Sequence, residues 1–118
     1  MRALPDDLQK LIPLTPAVFH VLLALSTGPM HGYAIMLETK KLSEGSFRMG
    51  PATLYSTIQR LVALNLIDET TASPEEDSRR RYYELTGTGR HLLEAEVQRM
   101  NAAVRKANAR LIKRPSEN

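Results

Sequence analysis

The period of the apolar positions changes along this chain, and each change marks a new element. "LTPAVFHVLLALSTGP", residues 14–29, is apolar on nearly every side, which predicts a helix buried all round. Thr15 can cap it, Pro16 suits its first turn, and Gly28-Pro29 stops it. "MHGYAIMLETKKLSEG" has a narrower apolar side of Ile35, Met36 and Thr39 and predicts a second helix ending near Gly45. A third follows the Gly50-Pro51 break, with Leu54, Ile58, Leu61 and Asn65 on one face. Its other face is Ala52, Thr53, Ser56, Gln59, Arg60 and Ala63, with Tyr55 at the border, and holds no acid.

Beyond that helix the pattern becomes strand-like. "LIDETTASPEEDSRRRYYEL" has β-formers at both ends and a polar, turn-forming middle, so it predicts a hairpin with strands near 66–71 and 80–85. Thr86 then caps a long last helix in which Leu93, Val97, Met100, Val104, Ala107 and Leu111 are spaced 4, 3, 4, 3, 4. That is the spacing of a coiled-coil seam. A core-facing amphipathic helix is the alternative, but little chain lies downstream to supply a partner, and a second copy is the economical one. Before Leu14, Pro5 and Pro13 limit any helix to about two turns. The expected organisation is an N-terminal arm (1–13), a domain of helices and hairpin (14–86), a dimerisation helix (87–112) and a polar, frayed tail (113–118).

Composition narrows the classes. The 118-residue chain carries a net charge of +3 and 42% hydrophobic residues, an ordinary balance for one domain with a modest core. It has no cysteine, which removes disulfides, cysteine-zinc sites and thiol catalysis. No apolar run is long enough to span a bilayer, and Asp6 and Asp7 stand where a signal peptide wants positive charge, so the expected location is the cytoplasm with no membrane partner. His20, His31 and His91 lack metal-ligand spacing, and no nucleophile–base pair or phosphate loop stands out. Neither metal, cofactor nor enzymatic activity is expected.

Three helices, a hairpin and a further helix form the order of a winged helix-turn-helix: mostly α with a small β-hairpin, plus a C-terminal dimerisation helix. In that architecture the third helix enters the major groove and the hairpin touches the flanking backbone. Thr53, Ser56, Gln59 and Arg60 then face DNA. Gln59 and Arg60 are long enough to reach base edges. Arg79, Arg80 and Arg81 are the densest positive run, but strand alternation keeps all three from facing one phosphate row. Tyr82 and Tyr83 should point to opposite faces, one into the core. Tyr55 and Tyr33 are open between packing and contact with the DNA backbone.

"GPMHGYAI", "PATLYSTIQRLVALNLID" and "RRRYYELTGTGR" resemble, in this order and spacing, the signature blocks of the PadR family of transcriptional regulators. The resemblance spans residues 14 to 112. It implies a homodimeric repressor of an inverted-repeat operator on double-stranded DNA, relieved by a small aromatic effector, and the short C-terminal region is similar to the smaller subfamily. His31-Gly32-Tyr33, Thr53-Leu54-Tyr55 and Arg80-Arg81-Tyr82-Tyr83 carry it. Ala52, Ser56 and Asn65 depart from the family's usual Gly, Pro and Gly. An effector site between the dimer's halves would involve Phe19, His20 and Leu23, with Leu93, Val97 and Met100 from the last helix. Two other readings stay open: a winged-helix protein-interaction module that leaves DNA alone, and a MarR-like regulator.

Overall fold

The computed structural model describes residues 4–71 and 80–112. Helices α1 (Asp6–Gln9), α2 (Pro16–Ala24), α3 (Gly32–Leu42), α4 (Pro51–Ala63) and α5 (Gly87–Ile112) alternate with strands β1 (Met30–His31), β2 (Ile67–Thr70) and β3 (Tyr82–Leu85). A 3-10 turn, Leu25–Thr27, follows α2. The mostly α architecture with a small antiparallel sheet is the one the sequence predicts. The wing-tip segment expected between the strands and the tail from Lys113 lie outside the described residues, as does Arg79.

The core forms where the apolar stripes of α2, α3, α4 and the start of α5 converge. Val21, Leu22, Leu25, Ile35, Leu54, Leu61, Leu66, Ile67 and Leu92 are all essentially sealed from solvent. Burial of one such aliphatic side chain contributes roughly 1.5–3 kcal/mol. Thr15 caps α2 as predicted, its hydroxyl accepting from Val18 N at 3.2 Å. The arm is part of this body: Leu8 is buried in the same core, with Leu4, Leu11 and Ile12 packed against it.

Three local features depart from the sequence reading. The second helix starts at Gly32, because Met30 and His31 pair antiparallel with Tyr83 and Tyr82. The expected hairpin is therefore a three-stranded sheet in the order β1-β3-β2. Second, Asn65 does not continue the third helix. It takes a left-handed φ of 60°, Asn65 N donates to Val62 O at 3.0 Å and Leu66 N to Leu61 O at 2.9 Å. This pair of bonds is the Schellman closure, which needs a residue tolerant of positive φ, and asparagine is the usual substitute for glycine there. Third, both tyrosines of β3 are buried: Tyr83 joins the core, while Tyr82 meets the His31 ring edge-on at 5.4 Å.

Helix α5 is fixed at its start. Thr86 Oγ1 accepts from Gly89 N at 2.9 Å and lies 2.8 Å from Asn65 O and 3.0 Å from Leu66 O, to which it donates. Arg90 Nη2 reaches Ser26 O at 3.0 Å. Farther along, the helix carries few buried residues and stretches the molecule to 63 Å in its long dimension.

Candidate nucleic-acid interface

Helix α4 presents the face that the sequence assigns to DNA. Leu54, Thr57, Ile58 and Leu61 are buried, and Thr53, Tyr55, Ser56, Gln59 and Arg60 are exposed. A helix with 3.6 residues per turn puts residues 59 and 60 on different flanks, and the surroundings show which. Gln59 borders a cleft of about 270 Å³ with Glu69, Arg81 and Tyr83 on the wing side. Arg60 borders a small cleft with Leu11, Leu14 and Thr15 on the arm side. The Ser56 hydroxyl donates to Thr53 O at 3.1 Å, so its oxygen lone pairs stay outward.

A second cleft, of about 330 Å³, lies where α3, α4 and the wing meet; His31, Tyr33, Tyr55, Arg80 and Arg81 are among its lining residues. His31 organises it. Its backbone is the N-cap of α3, and its Nδ1 accepts from Ala34 N at 3.1 Å. Its Nε2 lies 2.7 Å from Arg80 Nη1. A neutral imidazole has one acceptor nitrogen, so the Ala34 and Arg80 N–H groups compete for it. Arg81 is 75% exposed and stands 3.9 Å from the Glu69 carboxylate, a separation and exposure at which an ion pair is weak. Burial, and after it the nearby Glu69 carboxylate, raises the Tyr83 phenol above its ordinary value, so it stays a neutral hydroxyl between the two clefts.

The two tyrosines open from the sequence sit differently. Tyr33 is 56% exposed, and Tyr55 is 49% exposed with its ring over Gly32. Three positions set this geometry in ways the sequence reading did not assign. One is Gly32, buried beneath Tyr55. Another is Gly89, where an added Cβ would overlap the Leu66 carbonyl oxygen. The third is Glu96, whose side chain is 3% exposed. The signals were present: glycines in the first turns of helices, where they cost stability unless space demands them, and an acid on the α5 face shared with Leu92 and Leu93. The Glu96 carboxylate accepts from Leu14 N at 2.8 Å and from Arg99 at 2.5 Å and 3.1 Å. The Arg99 hydrogen bond, assisted by the one from Leu14, holds its pKa below the ordinary carboxylate value.

The remaining candidates are spread out. Leu93 is buried in its own domain's core, whereas Val97, Met100, Val104, Ala107 and Leu111 are exposed. His20 is half-buried, not deep in the core. Its Nδ1 donates to Pro16 O at 2.8 Å, and its ring stacks on Phe47 at 4.9 Å with Phe19 edge-on at 5.3 Å. Leu23 packs partly buried against the core. Among the described residues no group of side chains could hold a metal ion, and no helix is long and apolar enough to cross a membrane.

A helix-turn-helix whose second helix has one exposed face beside a wing carrying Arg80 and Arg81 defines a winged-helix DNA-binding domain. The transcriptional regulator PadR-like family model matches residues 21–95, and the chain belongs to that family, one of transcriptional regulators and not of enzymes. The match also decides against the MarR-like alternative. The chain is 42% identical over 80 residues to a 37.1 kDa protein in transposon TN4556 of Streptomyces fradiae, covering 68% of this chain and 21% of that one. It therefore spans about a fifth of that relative's length. A PadR family transcription regulator from Clostridium difficile is similar in structure, with a TM-score of 0.67, 26% identity, and coverage of 82% of this chain and 99% of the other. Bacillus subtilis PadR, solved in complex with operator DNA, shares the fold at a TM-score of 0.59 and 20% identity, over 68% of this chain and 45% of that one.

Proposed function

We propose that the protein is a homodimeric cytoplasmic repressor that binds an inverted-repeat operator through α4 and the wing and is released by a small effector. The observation that carries the DNA reading is the acid-free exposed face of α4, flanked by Arg80 and Arg81. Gln59 suits adenine and Arg60 suits guanine, the outward Ser56 lone pairs suit a donor on a base edge, while Thr53, Tyr33, Tyr55 and the wing arginines suit the backbone. A twofold dimer joined through the outer seam of α5 would set half-sites about 34–36 Å apart. That seam starts at Val97, since Leu93 is occupied. For the effector, the half-buried stack of Phe19, His20 and Phe47 favours a planar aromatic compound.

Duplex titration tests this. Gln59→Ala is expected to cost about 1–3 kcal/mol and to relax preference at one position per half-site. Arg80→Ala or Arg81→Ala should weaken all duplexes alike and shrink the slope of log K against log salt by about 0.9 for each phosphate that the wing no longer neutralises. Salt-independent or absent binding would favour a protein-interaction module instead.

A further inference from the structure

We infer that Gly32 is a positioning residue for the DNA backbone: it is the seat that holds the Tyr55 phenol at the mouth of the cleft beside Arg80 and Arg81. The inference rests on the DNA reading above and adds to it how one contact is aimed. A Cβ built on Gly32 would stand 2.8 Å from the Tyr55 hydroxyl, 3.0 Å from Cε1 and 3.1 Å from Cζ. Any side chain at position 32 therefore displaces the outer half of the ring. The Gly32 backbone does not itself demand glycine, because its φ is not among the positive ones; and it opens α3, where alanine suits a helix better. What a side chain there would displace is the ring.

The ring links two elements. Tyr55 projects from α4, Gly32 begins α3 directly after the His31 cap, and Tyr55 lines the same cleft as His31, Tyr33 and the two arginines. With its ring resting on the glycine, the hydroxyl sits beside the first turn of α3, where backbone amides and the helix dipole favour an anion. The chemical class of the ligand is a phosphodiester oxygen of the duplex, which the hydroxyl meets as a donor while the guanidinium groups supply the charge. Half of the tyrosine surface remains open, so the seat orients the ring without burying it.

A double-mutant cycle tests the inference on the whole chain. Wild type, Gly32→Ala, Tyr55→Ala and the double variant are titrated with a mixed-sequence duplex long enough for two half-sites, since a phosphate contact is blind to sequence. Each single variant is expected to weaken binding by about tenfold or more, the loss of a hydrogen bond to a charged group. The double variant should be no weaker than Tyr55→Ala alone. The salt slope should stay at its wild-type value in all four, because tyrosine displaces no counterion. Additive losses, or Gly32→Ala with wild-type affinity, would overturn the inference. Should Gly32→Ala fail to fold, Tyr55→Ala in the same chain restores folding if the ring is the obstacle; no rescue overturns it. A nuclear Overhauser contact between the Gly32 Hα and Tyr55 ring protons reads the seat without DNA. Its absence would sink the seat. Its presence in a wild-type protein that binds no duplex would instead sink the DNA reading, and the positioning role with it.

Discussion

The two halves of α5 share one apolar rhythm and have opposite surroundings. From Gly87 to Glu96 the helix is tied to the domain through the Thr86 cap, the close approach of Gly89 to Leu66, the Arg90–Ser26 bond, and the burial of Leu92, Leu93 and Glu96. From Val97 onward the same spacing continues, yet Val104 is 54% and Leu111 is 63% exposed. A periodic stripe states that one face wants cover; it does not state what covers it. Here the domain's own core covers the first member of the seam and leaves Val97, Met100, Val104 and Leu111 exposed.

Breaking the fixed half should have the largest effect. Gly89→Ala drives a methyl group into the Leu66 carbonyl oxygen, an atom that also accepts from Thr86 N at 3.1 Å. Neither side can yield cheaply, and the expected loss is roughly 3–5 kcal/mol, read as a fall in Tm and in the denaturant midpoint. A Gly89→Ala protein as stable as wild type would show that α5 is not fixed where the structure puts it.

Glu96→Gln tests the boundary between the halves and should cost less, about 1–3 kcal/mol. Its amide oxygen can still accept from Leu14 N, but the charge-assisted pair with Arg99 is gone. The pH dependence has a definite sign. Glu96 has a folded pKa below its ordinary value of 4.5, so its contribution is complete above 4.5 and disappears as pH falls through the folded value. Acid unfolding followed by circular dichroism should be shallower below about pH 4.5 in the variant; an unchanged profile would refute the assignment.

Val104→Asp should have the smallest effect on the domain itself, within about 0.5 kcal/mol, since the residue is open to solvent. Its effect on association should be large, because the proposed seam would bury an unpaired charge. Sedimentation at micromolar concentration should show monomers whose fold is intact by circular dichroism. A Val104→Asp protein that stays dimeric would move the interface off this face.

Much of the fold was legible because it rests on local physics. The caps at Thr15 and Thr86, the Gly50-Pro51 start of α4 and its buried row of Leu54, Ile58 and Leu61 all follow from spacing and backbone chemistry. The exposed face of α4 was legible for the same reason. The clefts beside it were not, since they join residues from β1, α3, α4 and β3 that no helical period relates. Nor was the different flanking of Gln59 and Arg60, which depends on where the arm and the wing lie.

The sequence by itself determined which residues form helices, which face of each seeks burial, and that an arginine run follows an acid-free helix. Those are properties of neighbours a turn apart, set by backbone geometry and side-chain polarity. Only the tertiary structure decided that Met30 and His31 leave the helix to pair with β3, that Leu93 belongs to the core while Val97 does not, and that Glu96 holds Leu14. It also decided that Gly32 must lack a side chain for Tyr55 to rest on it. Each of these depends on contacts between segments distant in the chain, where packing distances of a few tenths of an ångström decide the outcome and no sequence interval encodes them.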